Sequence, residues 1–338
     1  MKRSTTVPTS VHSLRPADID IVAAMGDSLT AGNGAGAEGD DELAVAIQFR
    51  DILKKFNPNL LGYSVRTGSA NVWETAHLNA GVPGAHSEDM PQQAGDLARR
   101  MREHPELDYL NHWKLVHIFI GINDICRFCF TDNEDGDHYV ENVRQGVQYL
   151  KENLPRTIVI LSGMYDASLL RRLDHSGPFC KPTPYPMGRL MLFFLCIVGN
   201  YLIRFECKCE QNATVTDAEL HDISRDYMGK MWSLQDSGEF ESDDFTLIIQ
   251  PYLEHAEDVG RNPDGTPNMD FFAPDCFHFS AYGHAILARN LWNNMMQSVG
   301  AKTAANLTDN GESLLCPDKA CPFIRTTKNS EDCTKYNN

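Results

Sequence analysis

Short apolar runs alternate with segments of helical periodicity along this chain, and this alternation limits the folds open to it. Strands are predicted at residues 19–25, 115–120, 157–161 and 245–249, with a shorter one at 77–79. Helices are predicted at residues 41–56, 88–104, 139–154 and 280–297, the last with Ser280 as its N-cap. Because the strands are continuously apolar, both of their faces should be buried. The pattern predicts an α/β fold with a central parallel sheet covered by helices on both faces.

The length and charge of the chain limit its organisation and its partners. Its 338 residues, 42% of them hydrophobic, suffice for one large core. We expect an N-terminal extension at residues 1–18, one α/β domain at 19–300 and a Cys-containing tail at 301–338. The 30 Lys and Arg against 46 Asp and Glu give a net charge of −16, which repels phosphate backbones. Nucleic acid is therefore not an expected partner.

Ten cysteines indicate an oxidising compartment, because cytosolic proteins seldom carry disulfides. Sequence does not fix their pairing, although a structural disulfide between Cys126 and Cys129 is expected. Two glycosylation sequons, at Asn212 and Asn306, agree with an extracellular protein. The opening residues lack the apolar stretch of a complete signal peptide. We therefore expect secretion, with the signal peptide absent from this chain.

One apolar run, residues 190–203 (LMLFFLCIVGNYLI), is the part of the sequence most like a membrane segment. It is shorter than the roughly 20 residues that a helix needs to span a bilayer. It predicts either a buried helix or a flap that meets lipid chains near the active site. We expect no membrane anchor, since the tail that follows is polar and Cys-rich.

Candidate functional residues follow the predicted strands, where parallel sheets bind their ligands. Gly26-Asp27-Ser28-Leu29 comes directly after the first strand, so Ser28 is either an exposed nucleophile or a helix N-cap. The motif differs from the GxSxG elbow of α/β-hydrolases because position 30 is Thr.

Two further segments offer groups that can hold a developing negative charge. Gly84 ends a glycine-containing turn, and glycine allows a backbone N–H to approach a reacting group closely. Asn123 follows the 115–120 strand and carries an amide donor, although Asn-Asp turns are also common after strands.

Asp275 and His278 precede the last helix with a spacing that can place a carboxylate beside an imidazole. The carboxylate would hold one ring nitrogen protonated and leave the other as a base for a serine. His284 is a second histidine nearby, with a spacing from Asp275 that is less suited to this contact.

In this order, the four blocks around Ser28, Gly84, Asn123 and His278 resemble the signature of SGNH/GDSL hydrolases. Longer stretches resemble the phospholipase B family: GDSLTAGNGAG, NAGVPGAHSEDMPQQA, FIGINDIC and FFAPDCFHFSAYGHAILARNLWNNM. The resemblance corresponds to one catalytic repeat of that family. The resemblance implies a three-layer α/β/α (flavodoxin-like) fold and metal-independent hydrolysis of fatty-acyl esters in phospholipids and lysophospholipids. By the same resemblance, Ser28 is the nucleophile, His278 the base and Asp275 the orienting acid. Gly84, Asn123 and the Ser28 backbone N–H form the oxyanion hole.

Two other functions stay open: an SGNH acetylesterase acting on carbohydrates or small esters, and a non-catalytic lipid-binding protein. The acidic loop at residues 131–137 does not fit a calcium-binding EF-hand, because Thr131 and Asn142 occupy its first and twelfth ligand positions. No cofactor and no metal are expected. The expected partner is a phospholipid or lysophospholipid substrate, with peripheral contact to lipid aggregates, and the protein is expected to be a monomer.

Overall fold

A computed structural model describes most of the chain. The described residues are 2–33, 35, 49–66, 68–176, 180, 207–305, 307–309 and 311–337. The apolar run at 190–203, Asn306 and the first half of the helix predicted at 41–56 lie outside them.

The centre of the protein is a parallel sheet of four strands in the order β1-β2-β3-β4. The strands are β1 (Ile21–Gly26), β2 (Lys114–Phe119), β3 (Thr157–Ser162) and β4 (Phe245–Gln250). Every residue of β3 and β4 is buried, as continuous apolar strands require when helices cover both faces. The predicted parallel sheet is confirmed.

The described residues outside the sheet form α-helices and short 3₁₀ turns. The α-helices are α1 (Ser28–Ala31), α2 (Phe49–Lys54), α3 (Trp73–Ala76), α4 (Met90–Glu103), α5 (Ile122–Ile125), α6 (Gly136–Asn153), α7 (Lys208–Gln211), α8 (Asp217–Asp236), α9 (Ala281–Met296) and α10 (Thr327–Glu331). Short 3₁₀ turns occur at Val11–Ser13, Pro16–Asp18, Ser87–Asp89, Ala167–Arg172, Met269–Phe271 and Cys333–Tyr336. Helix α6 packs against α4 and α8, whereas α9 packs against α2 and β4. The fold is a three-layer α/β/α sandwich.

Two segments differ from the prediction. Residues 77–79 form an isolated parallel bridge between Ala24 and Asn79 in place of a strand, because a helical turn precedes them and His77 has φ of +45°. Helix α8 was not predicted. Its N-terminus carries a capping box, in which Thr216 and Glu219 each bond the other's backbone N–H, and this pattern is readable from sequence.

The two ends of the chain pack against each other on the domain. The Ile324 N–H donates to the carbonyl of Leu14 at 2.8 Å, and the Asn329 amide donates to the carbonyl of His12 at 2.8 Å. The Arg325 N–H donates to the carbonyl of Met295 near the end of α9. The first residues and the tail are therefore anchored to the sandwich.

Four disulfides join distant parts of the described chain: Cys126–Cys207, Cys129–Cys209, Cys180–Cys276 and Cys321–Cys333. The predicted disulfide between Cys126 and Cys129 is wrong, because each of these cysteines bonds instead to a cysteine in or beside α7, about 80 residues away. Cys316 is exposed and forms no disulfide with any cysteine that the structure describes. Among the described helices, none is long and apolar enough to cross a membrane.

Candidate active site

Ser28 is the first residue of α1, directly beyond the end of β1. Asp27 is the N-cap of this helix, and its Oδ1 accepts a 2.8 Å hydrogen bond from the Leu29 N–H. The side-chain amide of Gln93 pairs with both the N–H and the carbonyl of Gly26 and so fixes the preceding turn. The Ser28 hydroxyl is buried, and its oxygen has no hydrogen-bond partner among the described residues. Ser28 is therefore not the N-cap, and the expectation that its hydroxyl is exposed is wrong.

The loop that carries Gly84 packs directly on the Ser28 turn. The Val82 N–H donates to the carbonyl of Gly26 at 3.0 Å. A Cβ added to Gly81 would lie 3.0 Å from the nitrogen of Ala31 and 3.1 Å from the carbonyl oxygen of Asp27. Glycine at position 81 thus lets this loop approach the segment that holds Ser28.

Gly84 and Asn123 lie on two loops that contact each other. Gly84 has φ of +79°, in the left-handed region that favours glycine, and Asn123 lies in α5, just after β2. The Asn123 Nδ2 donates a 2.8 Å hydrogen bond to the carbonyl of Ala85. Because an amide nitrogen carries two N–H groups, and no described residue accepts from the second, Asn123 can still donate to an oxyanion.

A buried carboxylate joins the same two loops. Asp124 accepts from the Ser87 hydroxyl at 2.6 Å and from the Ser87 N–H at 2.9 and 3.1 Å. Burial raises the pKa of Asp124 to about 7, although its hydrogen bonds with Ser87 favour the ionised form. The Asn142 amide donates to the same hydroxyl at 3.0 Å. This contact was not predicted from sequence, although Asp124 stands in the GIND motif.

Asp275 and His278 lie side by side in the loop before α9. The Asp275 Oδ2 is 2.5 Å from Nδ1 of His278, and Oδ1 accepts from the N–H groups of Phe277 and His278, each at 3.0 Å. Burial alone would raise the pKa of Asp275, but these hydrogen bonds and the charge of His278 hold it below its ordinary value. An ionised Asp275 makes Nδ1 the donor and leaves Nε2 to take a proton.

His284, the second histidine considered from sequence, lies within α9. His284 is partly buried, and burial lowers its pKa to about 4, so it is neutral at physiological pH. The Asp275 carboxylate contacts His278, and His284 makes no such contact.

Tyr165 relates the Ser28 segment to the His278 segment. Burial raises the pKa of its hydroxyl, and the negative charges of Asp27 and Asp275 raise it further. Its ring packs edge-on against Phe279, beside His278, with centroids 5.8 Å apart. Tyr165 follows β3, so its contact with Phe279 places the His278 segment at the carboxyl edge of the sheet, the edge at which Ser28 follows β1. Tyr165 was not predicted to belong to the site.

A model of GDSL-like lipases and acylhydrolases matches residues 22–291, a range that includes Ser28, Gly84, Asn123 and His278. The chain belongs to the GDSL-like lipase/acylhydrolase family.

Within this family, the chain is similar to phospholipase B1, membrane-associated, of mammals. It is 36% identical to the human protein over 97% of its own length and 23% of the human chain. It is also 36% identical to the mouse protein, over 97% of its length and 22% of the mouse chain. The chain thus spans about a quarter of the length of these relatives.

Two solved structures are similar to this chain at low sequence identity. A GDSL-like lipase from Parabacteroides merdae is 15% identical with a TM-score of 0.41, covering 84% of this chain and 96% of the other. An acetyl-xylooligosaccharide esterase from Geobacillus is 17% identical with a TM-score of 0.41, covering 80% and 91%.

An apolar cavity of about 120 Å³ lies between the sheet and α9 of this GDSL-family chain. It is lined by side chains of α1, β2 and α9, among them Leu29, Phe119, Leu287 and Leu291. Burial lowers the pKa of His117, which also lines the cavity, to about 4. The histidines in its wall are therefore neutral. Arg50 also lines the cavity, but most of the lining is apolar, which suits an acyl chain.

One cluster of the described residues has the composition of a metal site. Ligand atoms of Asp166, His221 and Glu257 all lie within 4.8 Å of one another. Asp166 and His221 already contact each other, with 2.7 Å between Oδ2 and Nδ1. Asp166 follows β3, His221 lies in α8 and Glu257 follows β4, and serine acyl transfer needs no metal.

Proposed function

We propose that this chain hydrolyses fatty-acyl ester bonds of phospholipids and lysophospholipids by way of an acyl-enzyme on Ser28. The observation that carries the proposal is the Asp275–His278 pair at the same sheet edge as Ser28, whose hydroxyl is buried without a partner among the described residues. The sequence similarity to phospholipase B1 supports the choice of substrate. The apolar cavity beside α1 supports an acyl chain as part of it.

In the proposed reaction, Nε2 of His278 takes the proton of Ser28 as Oγ attacks the ester carbonyl. The N–H groups of Gly84 and Ser28 and the free N–H of Asn123 hold the oxyanion. His278 returns its proton to the leaving alcohol, which is a lysophospholipid or a glycerophosphodiester. Water, deprotonated by His278, then releases the fatty acid and restores Ser28.

We further infer a secreted glycoprotein that acts as a monomer and contacts lipid aggregates peripherally. Four disulfides in the described residues support an oxidising compartment. The partly exposed Asn212 supports glycosylation at its sequon.

The test is fatty-acid release from phosphatidylcholine by the wild type, by Ser28→Ala and by Ser313→Ala as a control at an exposed position. The proposal expects Ser28→Ala to lose release and covalent labelling by a fluorophosphonate, with an unchanged circular dichroism spectrum. Full activity of Ser28→Ala would refute the assignment, and an unlabelled wild type would favour a non-catalytic lipid-binding protein.

The rival acetylesterase function is tested with the same wild-type protein. Release of acetate from acetylated sugars with no release from phospholipids would replace the proposed substrate class. A phosphatidylcholine with two different acyl chains reports which ester is cleaved first.

A further inference from the structure

A second cavity, of about 330 Å³, opens beside the Ser28 turn. It is lined by residues 31–33, which end α1, by residues 81–83, which precede Gly84, and by Ser64, Arg66 and residues 68–71. Its volume is at the lower end of the roughly 300–1,000 Å³ of small-molecule sites. It can therefore hold the small polar part of a substrate.

The cavity is contiguous with the segment that carries the nucleophile. The N–H groups of Gly32 and Asn33 both donate to the carbonyl of Ser28 at 3.0 Å. On the opposite wall, Pro83 is the residue before the predicted oxyanion donor Gly84. A group bound here would be attached to an ester reacting at Ser28, on the side of the oxyanion loop.

Arg66 is the single charged residue among the described residues that line this cavity. Its guanidinium is exposed and forms no ion pair or hydrogen bond with any described residue, in a chain with a net charge of −16. Its backbone has φ of +64°, which is uncommon for a residue other than glycine and occurs more often at functional sites. Arginine binds phosphate oxygens through paired N–H groups.

Ser64 supplies a second polar group in the same wall. Its side chain is 3% exposed, and its hydroxyl oxygen has no hydrogen-bond partner among the described residues. Because a buried hydroxyl without a partner is destabilising, a ligand oxygen near it would restore a lost hydrogen bond. Ser64 lies between this cavity and the smaller apolar one, so it borders both.

We propose that this cavity binds the phosphodiester of a glycerophospholipid headgroup, with Arg66 pairing with the phosphate oxygens and Ser64 donating its hydroxyl. The inference rests on the proposed function and deepens it, because it explains how a phospholipid is distinguished from a neutral ester. The apolar cavity lined by Leu29 and Thr30 of α1 then takes the acyl chain. An acetylated sugar carries no anion for Arg66.

The test compares two substrates with the same acyl chain, lysophosphatidylcholine and a monoacylglycerol. Arg66→Gln should lower kcat/KM for lysophosphatidylcholine by about 10- to 100-fold, the loss expected for a charge-assisted contact, and leave the monoacylglycerol rate unchanged. Arg66→Lys keeps the positive charge and should therefore lose less kcat/KM for lysophosphatidylcholine than Arg66→Gln. The matched control is Lys55→Gln, which removes one exposed positive charge near the amino end of the sheet and should change neither rate.

Equal losses on both substrates, or no loss on either, would overturn the headgroup site. Binding provides a second readout: glycerophosphocholine should bind the Ser28→Ala variant in calorimetry and lose this binding when Arg66→Gln is added. Inorganic phosphate binding as tightly as glycerophosphocholine would show a free-phosphate site and overturn the assignment. A wild-type enzyme that cleaves the monoacylglycerol but no phospholipid would instead refute the proposed function.

Discussion

Asp124 accepts hydrogen bonds from both the backbone N–H and the hydroxyl of Ser87, and this contact ties together the two loops that carry Gly84 and Asn123. Asn123 precedes Asp124, and Gly84 stands three residues before Ser87. The separation of the two proposed oxyanion donors thus depends on a carboxylate that contacts neither substrate nor nucleophile. Asp124 is a positioning residue in this arrangement.

Replacing Asp124 by Asn should lower kcat for a soluble short-chain ester by about 10- to 100-fold, short of the 100- to 1,000-fold cost of deleting an oxyanion donor. The amide places an NH₂ group where a carboxylate oxygen accepted a hydrogen bond, so the loops should separate. KM should change little, because an oxyanion contact is made mainly in the transition state. Ser87→Ala keeps the backbone N–H that donates to Asp124, so its kcat in steady-state kinetics should fall less than that of Asp124→Asn. A lower Tm with unchanged kcat would indicate a structural role only.

Asp27 should make the protein less stable as the pH rises from 4 to 7. Burial raises its pKa from 3.8 to about 7, and the nearby charge of Asp124 adds to this. The unfolded chain loses this proton near pH 4 and the folded protein only near pH 7. The folded state therefore binds more protons in this window, and its free energy of unfolding falls as the pH rises, by roughly 4 kcal/mol at most.

Asp27→Asn should remove this loss, because an amide does not ionise and Oδ2 of Asp27 has no partner among the described residues. Its Tm should exceed that of the wild type at pH 8 and match it at pH 4. Asp132→Asn, at an exposed carboxylate, should follow the wild type at every pH. Parallel Tm curves for Asp27→Asn and the wild type would contradict the raised pKa.

Much of the sheet could be predicted from sequence because its strands are continuous apolar runs with polar or glycine residues after them. The contact between Asp275 and His278 was also predictable, since three residues separate them in one loop. Features of this kind can be predicted because they depend on residues that are close together in the sequence.

Other parts depend on contacts between segments far apart in the chain. The partners of Cys126 and Cys129 lie about 80 residues away, and no spacing rule selects Cys207 or Cys209 for them. Arg66 belongs to no motif in the sequence, and only the folded structure shows that it lines a cavity beside Ser28. Helix α8 differs from these cases, because the capping box at its N-terminus is a local pattern that the sequence itself carries.

The Cys180–Cys276 disulfide should support catalysis, because it holds the loop that carries Asp275 and His278. Cys276 stands between Asp275 and His278 with φ of +58°, so the bond fixes the backbone that sets their contact. The double variant Cys180→Ser/Cys276→Ser should lose on the order of 2–4 kcal/mol of stability and about tenfold or more in kcat, as expected when a catalytic group is displaced.

The matched control is the disulfide of the tail, Cys321–Cys333, which lies outside the candidate active site. Its double Ser variant should also lose stability, but by less, because the bond closes a loop of 12 residues where Cys180–Cys276 closes one of 96. Its kcat, measured well below both Tm values on a soluble ester, should equal that of the wild type. If both double variants lose kcat to the same extent, the Cys180–Cys276 bond acts through overall stability and has no special role in positioning Asp275 and His278.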